Sequence, residues 1–140
     1  MRLPTAWAAA ALPPLPAEPV RALRTSASAV EAVVKLFLNC GKTGQIFVNK
    51  STVPVGVNKN FANQLIHKKT QYYYHPEFLR EGTALQDFLK PDRMIVGFEK
   101  NLQAAKKFFQ ELYGRRIATK IPFVYCDFQS AEIIKYAANA

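Results

Sequence analysis

The sequence predicts an α/β protein: a parallel sheet built from β-α-β units and flanked by helices on both faces. Short runs at residues 45–49, 71–74, 94–98 and 122–125 have the length and the β-branched or aromatic content of strands. Between them, residues 57–67 and 101–113 place apolar side chains at helical spacing. A strand, a helix and a second strand in that order leave enough chain for a crossover that returns parallel to its start. Hydrophobic residues make up 49% and charged residues 21%, the composition of a globular protein that packs a core. The 140 residues suffice for one domain with a modest core.

Residues 1–28, with Ala8 to Ala11, Pro13-Pro14, Pro16 and Pro19, show no lasting period and are expected to be a flexible tail. Arg2 and the apolar run 6–12 resemble a weak signal peptide, but Pro13-Pro14 cut that run short. Ordered structure is expected from Ser28, which has capping-box spacing to Glu31, with Val30, Val33, Val34, Leu36 and Phe37 as an apolar helix face. Gly41 and Gly44 stop this helix ahead of the first strand. Pro54 and Gly56 lead into the second helix, and the aromatic strand 71–74 follows. An acidic turn over 77–87 precedes the strand 94–98. The helix 101–113 carries Leu102, Ala105, Phe108, Phe109 and Leu112, and a last helix begins at Ser130. The domain division read from this order is a tail over 1–28, a sheet domain over 29–128 and the start of a further helix over 129–140.

The net charge of +9 sits in the first half, where residues 1–70 carry nine Lys/Arg against two Asp/Glu. Most of the basic residues are scattered singly, without the aromatic and glycine pattern of an RNA-binding surface, so a solvated face is expected rather than nucleic acid. Cys40 and Cys126 form no C-x-x-C pair, so neither a disulfide nor a zinc site is expected, and reduced thiols in a cytoplasmic protein are. No apolar run approaches the roughly 20 residues of a membrane span.

Ligands of open α/β sheets bind at the carboxyl ends of strands. There, Ser51 and Thr52 precede a helix, and their hydroxyls can either cap it or hold a cofactor ribose or a water. After the aromatic strand, His75-Pro76-Glu77-Phe78-Leu79-Arg80-Glu81-Gly82 places two carboxylates at i and i+4 if Pro76 opens a helical turn. Such a pair can divide acid/base work from hydrogen-bond acceptance; the alternative is a solvated turn in which Arg80 neutralises them. Lys135 and Asn139 lie one helical turn apart, away from Ile133 and Ala137, as donors for a developing oxyanion or as plain surface residues. His67 and His75 have no metal-ligand spacing and are expected to be structural or exposed.

The order of these runs carries more than each run alone. Lys50-Ser51-Thr52-Val53-Pro54-Val55-Gly56, then Pro76-Glu77-Phe78-Leu79-Arg80-Glu81-Gly82-Thr83-Ala84, then Asp87-Phe88-Leu89, Pro91-Asp92-Arg93 and Ile95-Val96-Gly97, and finally residues 130–139 resemble the UDP-glucose/GDP-mannose dehydrogenase family. The run through Pro91-Asp92-Arg93 is most similar to the UDP-glucose 6-dehydrogenases within it. The resemblance covers about residues 30–140.

It implies a partial Rossmann-like sheet, ending in the start of a central helix, and NAD as cofactor. It further implies oxidation of UDP-glucose to UDP-glucuronate by two NAD, through a cysteine-bound thiohemiacetal and a thioester. By the same resemblance, Ser51 and Thr52 would hold cofactor, Thr52 also a catalytic water, and Glu77 would be the acid/base of thioester hydrolysis. Glu81 would contact cofactor, Phe78, Leu79, Arg80 and Glu81 would wall the sugar-nucleotide site, and Lys135 and Asn139 would stabilise charge on the substrate oxygen. A homodimer or larger homo-oligomer is implied for the complete enzyme. The family's G-x-G-x-x-G loop and its nucleophilic cysteine have no counterpart in these residues, so a fragment that is inactive alone is the expectation. A dehydrogenase of GDP-mannose or of a UDP-N-acetyl sugar is the alternative within the family; outside it stand a basic nucleic-acid module and a misjoined gene product without function.

Overall fold

The structure, a computed structural model, describes residues 17–118 and 121–138, with side chains from residue 27 onward except those of 115–118. The first helix, α1, spans Ala17–Cys40 and so begins eleven residues before the expected Ser28, inside the segment expected to be a flexible tail. Pro19 falls in its first turn, where the missing N–H has no intrahelical partner to lose. Ser28 therefore lies mid-helix rather than at a cap, and Glu31 pairs with Lys35 one turn on, at 2.8 Å. Val30 and Val34 are buried one turn apart, whereas Val33 and Leu36, expected on the same face, are turned outward. The rest of the expected tail, residues 1–16, lies outside the described residues.

The chain then forms β1 (Ile46–Asn49), α2 (Val57–Leu65) with a 3-10 turn at Ile66–Lys68, and β2 (Gln71–Tyr74). Asn58, Phe61 and Leu65 repeat at helical spacing and bury one face of α2, so that β1 and β2 pair in parallel across it. After β2 come α3 (Ala84–Leu89), β3 (Met94–Gly97), α4 (Leu102–Ala118), β4 (Phe123–Cys126) and α5 (Phe128–Ala137). The strand order is β1-β2-β3-β4.

The α/β class with flanking helices is as expected, but the sheet is mixed. β3 and β4 are parallel, while β2 and β3 run antiparallel and share the single pair Tyr74 and Gly97. The cause lies in α3, a helix of six residues with none buried, which does not lie back over the sheet as a crossover. The chain instead turns and comes back reversed. α4 breaks at Gly114, whose φ of 70° and ψ of 162° suit glycine alone.

Successive tyrosines of β2 point to opposite faces. Tyr72 and Tyr74 join Val34, Val53, Phe61, Leu65, Ile95 and Phe128 in one core, under α1, α2 and α5. Tyr73 joins Val96, Ala105 and Phe109 in the other, under α4. The last helix starts at Phe128 and not at Ser130, because Asp127 caps it by accepting from the Ser130 backbone at 2.9 Å and from its hydroxyl at 2.8 Å. Phe128 and Ala131 of α5 lie in the sheet's own core.

Candidate functional site

The carboxyl ends of β1 and β2 lie side by side, and the segments that leave them face α5. Glu77 forms an ion pair with Lys50 at the end of β1. Phe78 follows, and its ring is flanked by two cations: Lys135 Nζ stands 4.9 Å from the ring centroid and Arg93 Cζ stands 5.8 Å away. Lys135 is only 6% exposed, which rules out the surface-lysine reading. Its burial lowers the ammonium's pKa, and the nearby Glu77 carboxylate opposes that shift.

Thr52 is half-buried and sits between two ties to other elements: Lys50 pairs with Glu77, and the Val53 carbonyl accepts from Tyr136 Oη at 3.1 Å. The structure thus assembles Thr52, Glu77, Phe78 and Lys135 at one end of the sheet. It does not place Glu81 with them. Residues 75–80 are not helical, so Glu77 and Glu81 do not share a helix face, and Glu81 lies exposed in a turn. Pro76 opens no helical turn: residues 75–80 carry no regular secondary structure, and His75 just before it is tied to β3 through Nδ1 and the Ile95 carbonyl. Arg80 neutralises neither glutamate; it binds Asp87 through Nη2 at 2.7 Å, Nε at 3.2 Å and its backbone N–H at 2.9 Å, and holds that carboxyl well below the usual range. Leu79 lines the cleft beside Phe78 and Arg93. Asn139 lies outside the described residues.

Neither Ser51 nor Thr52 caps α2. The N-cap residue, Gly56, has a φ of 89° and no side chain to offer. The cap arrives instead from α5: Glu132 accepts from Gly56 N at 2.6 Å, Asn58 N at 3.0 Å and Asn58 Nδ2 at 2.8 Å. Asn58 Oδ1 in turn accepts from Asn49 Nδ2 and Tyr72 Oη, and Asn49 Oδ1 accepts from Ser51 N. Glu132 and Asn58 are both fully buried. Sequence reasoning missed them because a glutamate beside Ile133 and Ile134 reads as the polar side of an amphipathic helix. The buried side of α5 is the reverse: Phe128, Ala131, Glu132 and Lys135 face inward, while Ile133 is 55% exposed.

His75 is buried rather than solvated. Its Nδ1 donates to the Ile95 carbonyl at 2.7 Å, which leaves Nε2 to accept from the Tyr113 hydroxyl at 2.6 Å. Cys126 is half-buried, and burial pushes its thiol up, away from the thiolate that a nucleophile needs. Among the described residues no helix is long and apolar enough to cross a membrane, and no group of three His, Cys, Asp or Glu could hold a metal.

The sequence model of the UDP-glucose/GDP-mannose dehydrogenase family, NAD binding domain, matches residues 16–117. An uncharacterised protein of Methanocaldococcus jannaschii is 44% identical over 98 residues, covering 69% of this chain and 11% of that protein. A UDP-glucose dehydrogenase from Pyrobaculum islandicum superposes with a TM-score of 0.65 at 32% identity, over 84% of this chain and 27% of the other. A GDP-mannose dehydrogenase from Pseudomonas aeruginosa superposes with a TM-score of 0.64 at 26% identity, over 80% and 27%. The chain therefore spans about a quarter or less of the length of these proteins.

The matched domain makes NAD the cofactor. The residues described fit part of it. Thr52 Oγ1 hydrogen-bonds to no described residue and suits a ribose hydroxyl or a carboxamide. The amino terminus of α2 does not suit the pyrophosphate, because the Glu132 carboxylate already occupies its N–H donors. With a mixed sheet carrying Thr52, Glu77 and Lys135 at one end, and with the match over residues 16–117, the chain belongs to the UDP-glucose/GDP-mannose dehydrogenase family.

Proposed function

We propose that this chain supplies the sugar-facing wall of an NAD-dependent nucleotide-sugar dehydrogenase whose substrate is UDP-glucose, oxidised in two steps to UDP-glucuronate. The observation that carries the reading is the buried Lys135 ammonium, set against the Phe78 ring and in the field of Glu77. A cation held away from water stabilises a developing alkoxide far better than a solvated one. Lys135 is therefore assigned the charge that builds on the substrate oxygen, with Asn139, four residues further along the sequence, as a second donor.

Glu77 is assigned proton transfer in thioester hydrolysis, with Lys50 as the cation beside its carboxylate. Ser51 and Thr52 are assigned to the cofactor, Thr52 also to the attacking water, and Phe78 with Leu79 and Arg80 to the wall of the sugar-nucleotide cleft. Glu81 keeps an assigned cofactor contact, reached from its exposed turn. NAD, when bound, accepts the hydride. Its pyrophosphate is assigned no holder here, since no G-x-G-x-x-G run lies in the 140 residues. By the same reading the isolated chain does not turn over, and the complete enzyme is a cytoplasmic homo-oligomer.

The test is a titration of the labelled chain with UDP-glucose, GDP-mannose and NAD, followed by amide NMR. UDP-glucose should shift the signals of residues 52, 77–80 and 135–138, and GDP-mannose should do so more weakly. Shifts from no nucleotide sugar at millimolar concentration would overturn the reading. A stronger response to GDP-mannose would replace the substrate and keep the class.

A further inference from the structure

We infer that Glu132 is a positioning residue: its buried carboxylate locks α5 to the loop 50–56 and so sets where the Lys135 ammonium stands relative to Thr52 and Phe78. The inference rests on the proposed site and adds a residue to which that site assigned nothing.

Three observations carry it. First, Glu132 is fully buried, yet the bonds it makes are to N–H donors, not to a cation: the Gly56 and Asn58 backbones and the Asn58 carboxamide. An apolar side chain would bury more cheaply, because desolvating a carboxylate costs several kcal/mol before its bonds offset it. Its value at this position therefore lies in direction. Three donors fix both oxygens, and thereby the rotation of α5 about its own axis. Second, Lys135 follows at i+3 on the same buried face, so a rotation of α5 that released Glu132 would swing Lys135 off the Phe78 ring. Third, the lock continues past Glu132. Asn58 holds Asn49, Asn49 holds the backbone of Ser51, and Tyr136 Oη bonds the Val53 carbonyl, so that Thr52 is gripped on both sides.

Of the neighbouring pairs, His75–Tyr113 ties the end of β2 to α4, and Lys50–Glu77 acts on α5 through the field of Glu77 on Lys135, which draws the ammonium without fixing the rotation of the helix. Glu132 contacts neither the cleft nor any group assigned to the chemistry. It acts through Lys135 and the Thr52 loop.

The experiment compares the chain with Glu132→Gln, Glu132→Asp and, as a stability-matched control, Val34→Ala, which removes packing from the same core away from the lock. Two readouts are taken on folded protein. One is the ring-current shift of the Lys135 side-chain protons against Phe78, which needs no ligand. The other is the Kd for UDP-glucose. Glu132→Gln keeps one carbonyl acceptor but turns a donor toward Gly56, and it should relax the Lys135 shift toward ordinary lysine values and weaken UDP-glucose about tenfold, by roughly 1.4 kcal/mol. Glu132→Asp should recover part of both. Val34→Ala should lower Tm and move neither.

A folded Glu132→Gln with an unchanged Lys135 shift would overturn the inference, as would an unchanged Kd. If the unmutated chain binds no nucleotide sugar, the proposed function fails, and the Lys135 shift still decides the inference.

Discussion

Glu132 on α5 accepts from both the backbone and the carboxamide nitrogens of Asn58, at 3.0 and 2.8 Å, across 74 residues of chain. The contact joins the amino terminus of α2 to the last helix within the buried core, and it makes the two helices interdependent. Replacing Glu132 with Ala would leave Gly56 N, Asn58 N and Asn58 Nδ2 without that acceptor. Loss of charge-assisted bonds at a buried site costs about 3 kcal/mol or more. Urea denaturation should show that loss; a change below about 1 kcal/mol, the size expected of a surface substitution, would contradict the lock.

Gly97 permits the close approach of α5 to the sheet. A Cβ built there would stand 3.0 Å from the Ala131 Cβ, 3.3 Å from the Phe128 ring and 3.3 Å from the Tyr74 Cβ. Gly97→Val should therefore push α5 outward and cost about 1–3 kcal/mol through overpacking. The same displacement should move the Lys135 side-chain signals. A stable Gly97→Val protein with those signals in place would show that the helix has more room than the contacts allow.

Lys135 gives a different balance of stability against function. Met keeps the apolar stem of Lys135 and removes only its charge, so Lys135→Met should change stability by no more than about 1 kcal/mol in either direction. Binding of UDP-glucose should nevertheless be lost. Thermal unfolding and the NMR titration, run on the same preparation, would separate the two effects. A marked drop in Tm would instead make Lys135 part of the fold's support.

His75 makes stability depend on pH. Burial holds its imidazole below the ordinary 6.5; Lys50 adds to that shift, whereas the Ile95 carbonyl and Glu77 oppose it. The folded chain thus keeps His75 neutral while the unfolded chain takes up a proton. Its contribution to stability is complete above about pH 6.5 and is lost as pH falls from there through the lower folded value. The urea midpoint should fall between about pH 7 and pH 5.5, and His75→Gln should flatten that dependence. An equally steep fall in His75→Gln would assign the effect to other groups.

The α/β class, the order of the elements and the family were legible in the residues because each depends on local pattern. Strand runs, helical spacing and the separate runs around Thr52, Glu77 and Lys135 are each contiguous in the chain, and α2 and β2 appear close to where they were expected. The start of α1 was not legible, since the proline-rich composition around Pro19 outweighed the helix-forming residues after it. Nor was the reversal between β2 and β3, which follows from a short α3 that buries nothing. The inward face of α5 was hidden for a further reason. Periodicity ranks faces by apolarity, and here the buried face carries Glu132 and Lys135, whose desolvation is offset by partners far away in the chain. Bonds across 74 or 76 residues leave no local trace, so the cap of α2 and the seat of Lys135 exist only once the chain has folded.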